Sequence, residues 1–448
     1  MDVAVIRSVA NVICRNQSGD VYRQCRIEKG RVRHTARRCL NRRAVEILDE
    51  RIVVATSGKK VSRPILPVPR NFSRRMPSSD QRRIAAARLE RQFLVGESRH
   101  RNAADVVRAL GAVQSQDFAG AKWALAMRSD GLDATAIDAA FDRGDFVRTH
   151  VLRPTWHFVA PEDLRWMQAL TGHRVARIMA SYNVKLGLTP TVLRRSLDVI
   201  GKSLAEQGPL TRTQLKAELE RARINNEGTQ RLAHLVMQAE VEALICSGPQ
   251  RGKQSTYALV DERVTKSRAL EGDEALHELT VRYFASRAPA TAHDFSWWSG
   301  LTVAECTRGI VMTGKQLHQI RLNEKTYFVP PDFEFPSKAS ASAHLLPNYD
   351  EYFIGFRDRS AIGQRLGHSA LVTGGNFLIA HVVAIDGQLV GGWRRGFEKG
   401  KTLLRFELVV KLNRKEHSTL KRAIDRFAEY TGSPILISGL DRDNRYSR

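Results

Sequence analysis

Apolar and polar positions alternate along this chain in a way that predicts helices first and strands last. After the capping pair Ser79-Asp80, Ile84, Ala87, Leu89 and Phe93 recur at helical spacing. Val106, Val107 and Leu110 repeat the pattern until Gly111 loosens it. A further helix passes through Ile137–Phe141. The run from Asp145 to Val159 is rich in β-branched and aromatic residues and is broken by Arg153-Pro154, so it predicts two short strands joined by a bend. Pro161-Glu162-Asp163 then opens a helix, because proline and acids suit a first turn. Helices closed by a β-pair outline a winged helix, a form of helix-turn-helix.

The outline recurs. Thr211 caps a helix, a second helix from Thr229 places Leu232, Leu235, Val236 and Ala239 on one face, and Leu244–Gly248 and Thr256–Val260 flank a loop holding Arg251 and Lys253. A third pass runs from Leu276–Phe284 through Ala290–Trp298 and a helix from Thr302 to a hairpin over Leu317–Val329. Three weak copies of one module strengthen one another. Past Pro330-Pro331 the pattern changes to strands over Leu371-Val372, Phe377–Ile385, Gln388–Trp393 and Leu403–Leu412. Asp386-Gly387 is a hairpin turn, and a last helix carries Leu420, Ala423, Ile424 and Phe427. The expected fold class is α+β: tandem winged-helix modules over 76–190, 191–270 and 271–335, then a small β-barrel with a C-terminal helix over 336–448.

Charge changes this picture. The 448 residues carry a net charge of +24, and residues 1–75 hold 18 Lys and Arg against 6 Asp and Glu, half of that excess. Nucleic acid is the commonest polyanion for such a surface. No apolar run approaches a membrane span and the N-terminus lacks a secretory apolar core. A membrane surface is the weaker alternative partner, since no strongly amphipathic Lys-rich helix stands out; no membrane partner but a cytoplasmic, nucleoid-associated protein is expected. Residues 1–75 lack a sustained period and end in a Pro-rich linker, Arg63–Pro69. They read as a basic, disordered extension, as a nucleic-acid-binding arm, or as sequence upstream of a true start at Met76. The five cysteines include Cys14, Cys25 and Cys39 at no zinc spacing, with Cys246 and Cys306 in apolar contexts as buried thiols. No cofactor and no metal ligand set is expected.

Candidate chemistry centres on Gln114-Ser115-Gln116. In an extended segment an i, i+2 spacing points both amides the same way, and two amides can hold one water without a charged group. Paired glutamines near a helix end also serve as caps or meet solvent, and both readings stand on the residues alone.

Six stretches, in this order, resemble the winged-helix DNA glycosylases of the AlkZ/YcaQ type: Gly111–Asp117, Leu152–His157, Phe295–Leu301, Leu346–Tyr352, Gly355–Arg359 and Gly391–Arg395. They span 78 to about 430. The family motif is glutamine, a small or apolar residue, then glutamine or aspartate. Gln114 and Gln116 match it, with Ser115 more polar than usual. The resemblance implies three winged helices and a β-barrel around a DNA channel, and catalytic roles for Gln114 and Gln116. It also implies monofunctional hydrolysis of the N-glycosidic bond of alkylated or crosslinked purines in double-stranded DNA, by a monomer. A purine alkylated at N7 or N3 is already cationic and leaves readily, so a water positioned at C1′ and stabilisation of the sugar cation suffice. Two neutral amide oxygens serve both needs. An open cleft is expected, because a crosslinked base cannot flip freely.

The expected DNA-contact set is Arg153, Trp156, His157, Arg212, Arg251, Lys253, Asp350, Arg357, Arg359, Arg394 and Arg395. His157 reads equally as a core histidine, Asp117 as structural, and Trp297-Trp298 as core. Asp350-Glu351-Tyr352 supplies acid chemistry or contacts the modified strand, or else pairs with Arg357 and Arg359 to fix a domain joint. The competing function is a non-catalytic winged-helix DNA-binding protein, a regulator or repair accessory. Regulators of this kind usually dimerise to read half-sites, and a pure binder has no need of two converging amides. An RNA-binding protein lacks its stacking motif here.

Overall fold

The computed structural model describes residues 10–15, 21–27, 79–96, 100–337, 341–366, 381–398 and 400–440. The chain divides into a unit over Met1–Arg70 and a unit over Asn71–Arg448. In the first, β1 (Ala10–Arg15) pairs antiparallel with β2 (Val21–Ile27). The rest of the expected extension over 1–75 lies outside the described residues.

The second unit repeats one element order three times. Its first copy runs helix Ala103–Leu110, β3 (Val113–Gln114), helices Phe118–Met127 and Ala134–Arg143, then β4 (Val147–His150) and β5 (Trp156–Val159). Its three strands lie in the order β3-β5-β4. The second copy runs helix Pro190–Gln207, β6 (Leu210–Thr211), helices Arg212–Arg221 and Gly228–Val241, then β7 (Ile245–Ser247) and β8 (Thr256–Leu259), in the order β6-β8-β7. The third copy runs helix Gly272–Arg287, a single bridge between Ala290 and Phe328, helices Ala292–Ser299 and Val303–Met312, then the hairpin of β9 (His318–Leu322) and β10 (Lys325–Val329). The pairs Val113 with Phe158, Leu210 with Tyr257, and Ala290 with Phe328 hold the same place in each copy.

Superimposing the three element orders exposes one difference. In the second and third copies the residue after the first strand position, Thr211 or Thr291, is at once the helix N-cap, each in a reciprocal capping box with Gln214 or Asp294. In the first copy the cap is Asp117, accepting from the Gly120 amide. That is the structural role anticipated for Asp117. The three residues by which the first copy is longer are Gln114, Ser115 and Gln116.

The C-terminal part is a five-stranded sheet in the order β11 (Ala343–Leu346), β12 (His381–Ile385), β13 (Gln388–Glu398), β14 (Lys401–Leu408), β15 (Ile435–Ser438). Asp386 (φ 48°) and Gly387 (φ 73°) form the expected two-residue hairpin turn. The expected strand over Leu371-Val372 and the start of that at Phe377 fall in 367–380, outside the described residues. No closed barrel is found among the described residues. Among the described residues β11 and β15 remain separate edges, and β14 pairs β15 in parallel. The apolar face is covered instead by helix Arg414–Thr431, which buries Leu420, Ile424 and Phe427 against it. That core is continuous with the first copy: the Trp123 and Phe427 rings meet edge-on at 4.9 Å, and Trp123 Nε1 donates to the Leu345 carbonyl at 2.7 Å.

Candidate active site

The glutamine stretch leaves β3 in extended conformation beside β5, where the Ser115 amide donates to the Trp156 carbonyl at 2.7 Å. Alternation turns the fully buried Ser115 side chain to one face and the two glutamines to the other. Gln114 keeps 5% of its surface exposed, and Gln116 is exposed. Both amides reach the bend between β4 and β5. Arg153 Nη2 donates to Gln114 Oε1 at 2.8 Å, and the Trp156 backbone N–H donates to Gln116 Oε1 at 3.3 Å.

Because β3 is an edge strand, the Gln114 N–H faces away from β5 and needs another acceptor. Glu351 supplies it: its Oε1 accepts from Gln114 N at 2.8 Å, while its Oε2 accepts from Arg287 Nη2 at 2.7 Å and Trp298 Nε1 at 2.9 Å. Arg287 also donates to the carbonyls of Leu110 (2.8 Å) and Ala112 (3.3 Å). On the other side of the motif, Arg148 Nε and Nη2 hold the Ser115 carbonyl at 3.1 and 2.9 Å, with the guanidinium 4.3 Å above the Trp156 ring. The motif backbone is thus gripped by a carboxylate before it and a guanidinium after it.

The bend is itself braced. Leu152 adopts φ 65°, and a Cβ on Gly300 would lie 2.3 Å from the Leu152 carbonyl, so only glycine permits this contact. Burial pulls the Arg153 guanidinium down to about 10, against the pull of the Glu351 carboxylate; it stays cationic at neutral pH.

Of the expected contact set, the structure gathers Arg153 and Trp156 beside the glutamines. Trp156 is half-buried and its Nε1 is shared by the two Glu240 carboxylate oxygens at 3.1 and 3.3 Å. His157 is not a surface contact: it is fully buried with Nδ1 at 2.9 Å from the Thr155 carbonyl. Burial foremost, then the neighbouring Arg153 charge, holds it neutral, well below the usual histidine range. Asp350 is also withdrawn from DNA. Buried, it caps the Glu351–Ile354 turn and receives both Arg128 nitrogens at 2.9 Å. Arg359 points inward too, donating to the Phe353 carbonyl at 2.9 Å with its guanidinium 4.8 Å over the Phe353 ring. The Asp350-Glu351 joint does form, but with Arg128 and Arg287 in place of Arg357 and Arg359.

Away from the glutamines, Arg212 is half-buried against Tyr257, while Arg251, Lys253, Arg357, Arg394 and Arg395 are exposed. Arg251 nonetheless holds the Pro209 carbonyl at 2.9 Å and Gln214 Oε1 at 3.2 Å. Trp298 is core as expected, whereas Trp297 is half-buried. Cys246 and Cys306 are buried thiols, each pushed up to about 12 by burial. Among the described residues no three His, Cys, Asp or Glu side chains form a metal-holding group, and no helix is long and apolar enough to cross a membrane.

Sequence reasoning missed Arg287 and Arg148. Each is one arginine among many, and only the pairing across more than 30 residues sets it apart.

The profile of the AlkZ-like DNA glycosylase family matches residues 107–430, and the chain belongs to that family. It is a DNA glycosylase, an enzyme that hydrolyses N-glycosidic bonds. The interstrand DNA cross-link repair glycosylase of Streptomyces sahachiroi is 24% identical over 327 residues, covering 70% of this chain and 87% of that relative. The solved DNA glycosylase AlkZ of Streptomyces sahachiroi shares the fold with a TM-score of 0.66 at 22% identity, over 81% of this chain and 100% of that one.

Replacing Asp350 with alanine strands a buried guanidinium, and the stability of the fold is expected to fall by about 3–5 kcal/mol. Urea denaturation reads this; an unchanged midpoint with weakened DNA binding would return Asp350 to the contact surface. The depressed His157 has a pH consequence. Unfolded, it titrates near 6.5 and takes up a proton that the folded state refuses, so stability is lost as pH falls below about 6.5. The melting temperature of His157→Gln should fall less between pH 7 and pH 5 than that of the unsubstituted protein.

Proposed function

We propose that this glycosylase removes purines alkylated at N7 or N3, including crosslinked ones, from double-stranded DNA, acting as a monomer with Gln114 and Gln116 as its catalytic pair. The observation that carries this reading is the position of the motif. It is the stretch by which one of three like units exceeds the others, and its backbone is held on both sides by buried charges.

A cationic alkylpurine needs no acid to leave. The C1′–N bond breaks, its electrons return to the purine ring, and the base departs neutral. Water adds its oxygen to C1′ and releases a proton to solvent, leaving an abasic site. The neutral amides position that water, which preorganises the reaction without burying a further charge. Gln116 is exposed and Gln114 lies at the rim, an arrangement suited to a lesion that stays in the duplex.

We read the three repeated units as winged helices. Helix Gly228–Val241, the groove-reading helix in that reading, is committed to its own protein: Arg231 bonds the Asn225 and Leu186 carbonyls, His234 bonds Asn183, and Glu240 pairs with His150. Exposed Lys253, Arg251, Arg357, Arg394 and Arg395 then suit phosphates, which position DNA without reading sequence. The non-catalytic regulator gains no support from any relative above.

Gln114→Ala and Gln116→Ala should each slow release of N7-alkylguanine by at least about 100-fold, the scale of one lost preorganised contact, with DNA affinity unaltered. Single-turnover release and fluorescence anisotropy read the two quantities. Release at the unsubstituted rate in either variant would remove that residue from the mechanism.

A further inference from the structure

The hydrogen bonds at the motif distinguish the two ends of the Gln114 amide. A guanidinium only donates, so the atom facing Arg153 Nη2 at 2.8 Å is the carbonyl oxygen. The Gln114 NH₂ therefore points away from Arg153. No acceptor among the described residues takes it, and it is not sealed from solvent. Gln116 is held differently. Its carbonyl meets only a backbone N–H, at the longer distance of 3.3 Å, on an exposed side chain.

The two carbonyls are also unequal as acceptors. That of Gln114 already faces a cation, which draws electron density from its remaining lone pair; that of Gln116 faces a neutral amide and keeps its second lone pair available. Two equivalent acceptors would be a poor use of a cation placed on one of them.

We infer that Arg153 is a positioning residue that fixes Gln114 as a hydrogen-bond donor, so that the two glutamines divide the work on one water: Gln114 Nε2 donates a hydrogen bond to the water oxygen, and Gln116 Oε1 accepts a hydrogen bond from one of the water O–H groups. One lone pair of the water faces the sugar C1′; as the C1′–N bond breaks with its electrons going to the purine, the C1′–O bond forms, and an O–H proton of the bound oxygen is released to solvent. The inference rests on the catalytic reading of the pair and adds a polarity to it. It also gives Arg153 a task other than the phosphate contact expected from sequence. The brace of Gly300 on the Leu152 carbonyl and the Arg153 Nη1 contact to the Trp297 carbonyl at 3.5 Å hold the bend that delivers the guanidinium.

The test compares isosteric acids, in the full chain, by single-turnover release of N7-methylguanine from duplex DNA. A carboxylate accepts but cannot donate. Gln114→Glu should therefore lose as much as Gln114→Ala, at least about 100-fold, while Gln116→Glu should lose less than about 10-fold. Arg153→Met should slow release by about 10-fold or more at unaltered DNA affinity, and Arg153→Lys, which can still donate to the same oxygen, should recover part of it. Equal losses in Q114E and Q116E, or a rate in Q114E above that in Q116E, overturn the assigned polarity whatever Arg153→Met does. An unsubstituted rate in Arg153→Met overturns the role of Arg153. Full-rate release by Q114A overturns the catalytic reading itself, and this inference with it; an inactive Q114A beside an active Q114E overturns the polarity alone.

Discussion

An edge strand leaves every second backbone N–H without a partner, and at Gln114 that N–H is buried. One carboxylate, Glu351, meets it, and the same carboxylate receives Arg287 and the Trp298 indole. Two parts of the chain far apart in sequence, Gln114 and the Arg287–Trp298 stretch, converge on these two oxygens, so the motif is placed by residues more than 170 positions downstream. A buried carboxylate with one hydrogen-bond donor missing is costly, and removing one partner of such a pair typically costs about 3–5 kcal/mol. The arrangement is therefore close to all-or-none. Either the C-terminal segment is docked and the motif is held, or neither is in place.

The repeat explains why the motif can exist without disturbing the fold. In the second and third copies, strand and capped helix are contiguous, and the threonine cap satisfies the first amides of the helix. In the first copy the cap moves to Asp117, and Gln114-Ser115-Gln116 fills the interval. In the proposed reading, function is added between two elements whose geometry is already fixed. The middle residue has its own reason for being small: Ser115 is fully buried and its hydroxyl has no hydrogen-bond partner among the described residues, so a larger polar side chain would bury further unpaired atoms.

Much of this was readable in the residues. The Thr211 cap, the Arg153-Pro154 break and the Asp386-Gly387 turn act locally, and the structure realises each of them, whereas Ser79 and Asp80 lie inside the helix they were expected to cap. Charge pairing was not readable. Nothing near Asp350 distinguishes Arg128 from Arg357, because the choice depends on which helix docks behind the turn. His157 alternates correctly on its strand and stands directly opposite Gln114, yet it is fully buried, a fact that tertiary packing sets and the strand pattern does not report. Closure of the described sheet was not readable for a related reason: strand patterns report pairing and burial, but whether a sheet closes on itself or is covered by a helix is decided by tertiary packing.

The central claim is that a buried carboxylate from the C-terminal segment holds the strand bearing the proposed catalytic pair in working position. Single-turnover release of N7-methylguanine by the unsubstituted protein and by Glu351→Gln, compared at a temperature where both are folded by circular dichroism, tests it most directly. The account predicts release by the unsubstituted protein, and a loss of about 100-fold or more in the variant with DNA affinity retained. Release at equal rates, or no release by the unsubstituted protein, would contradict it.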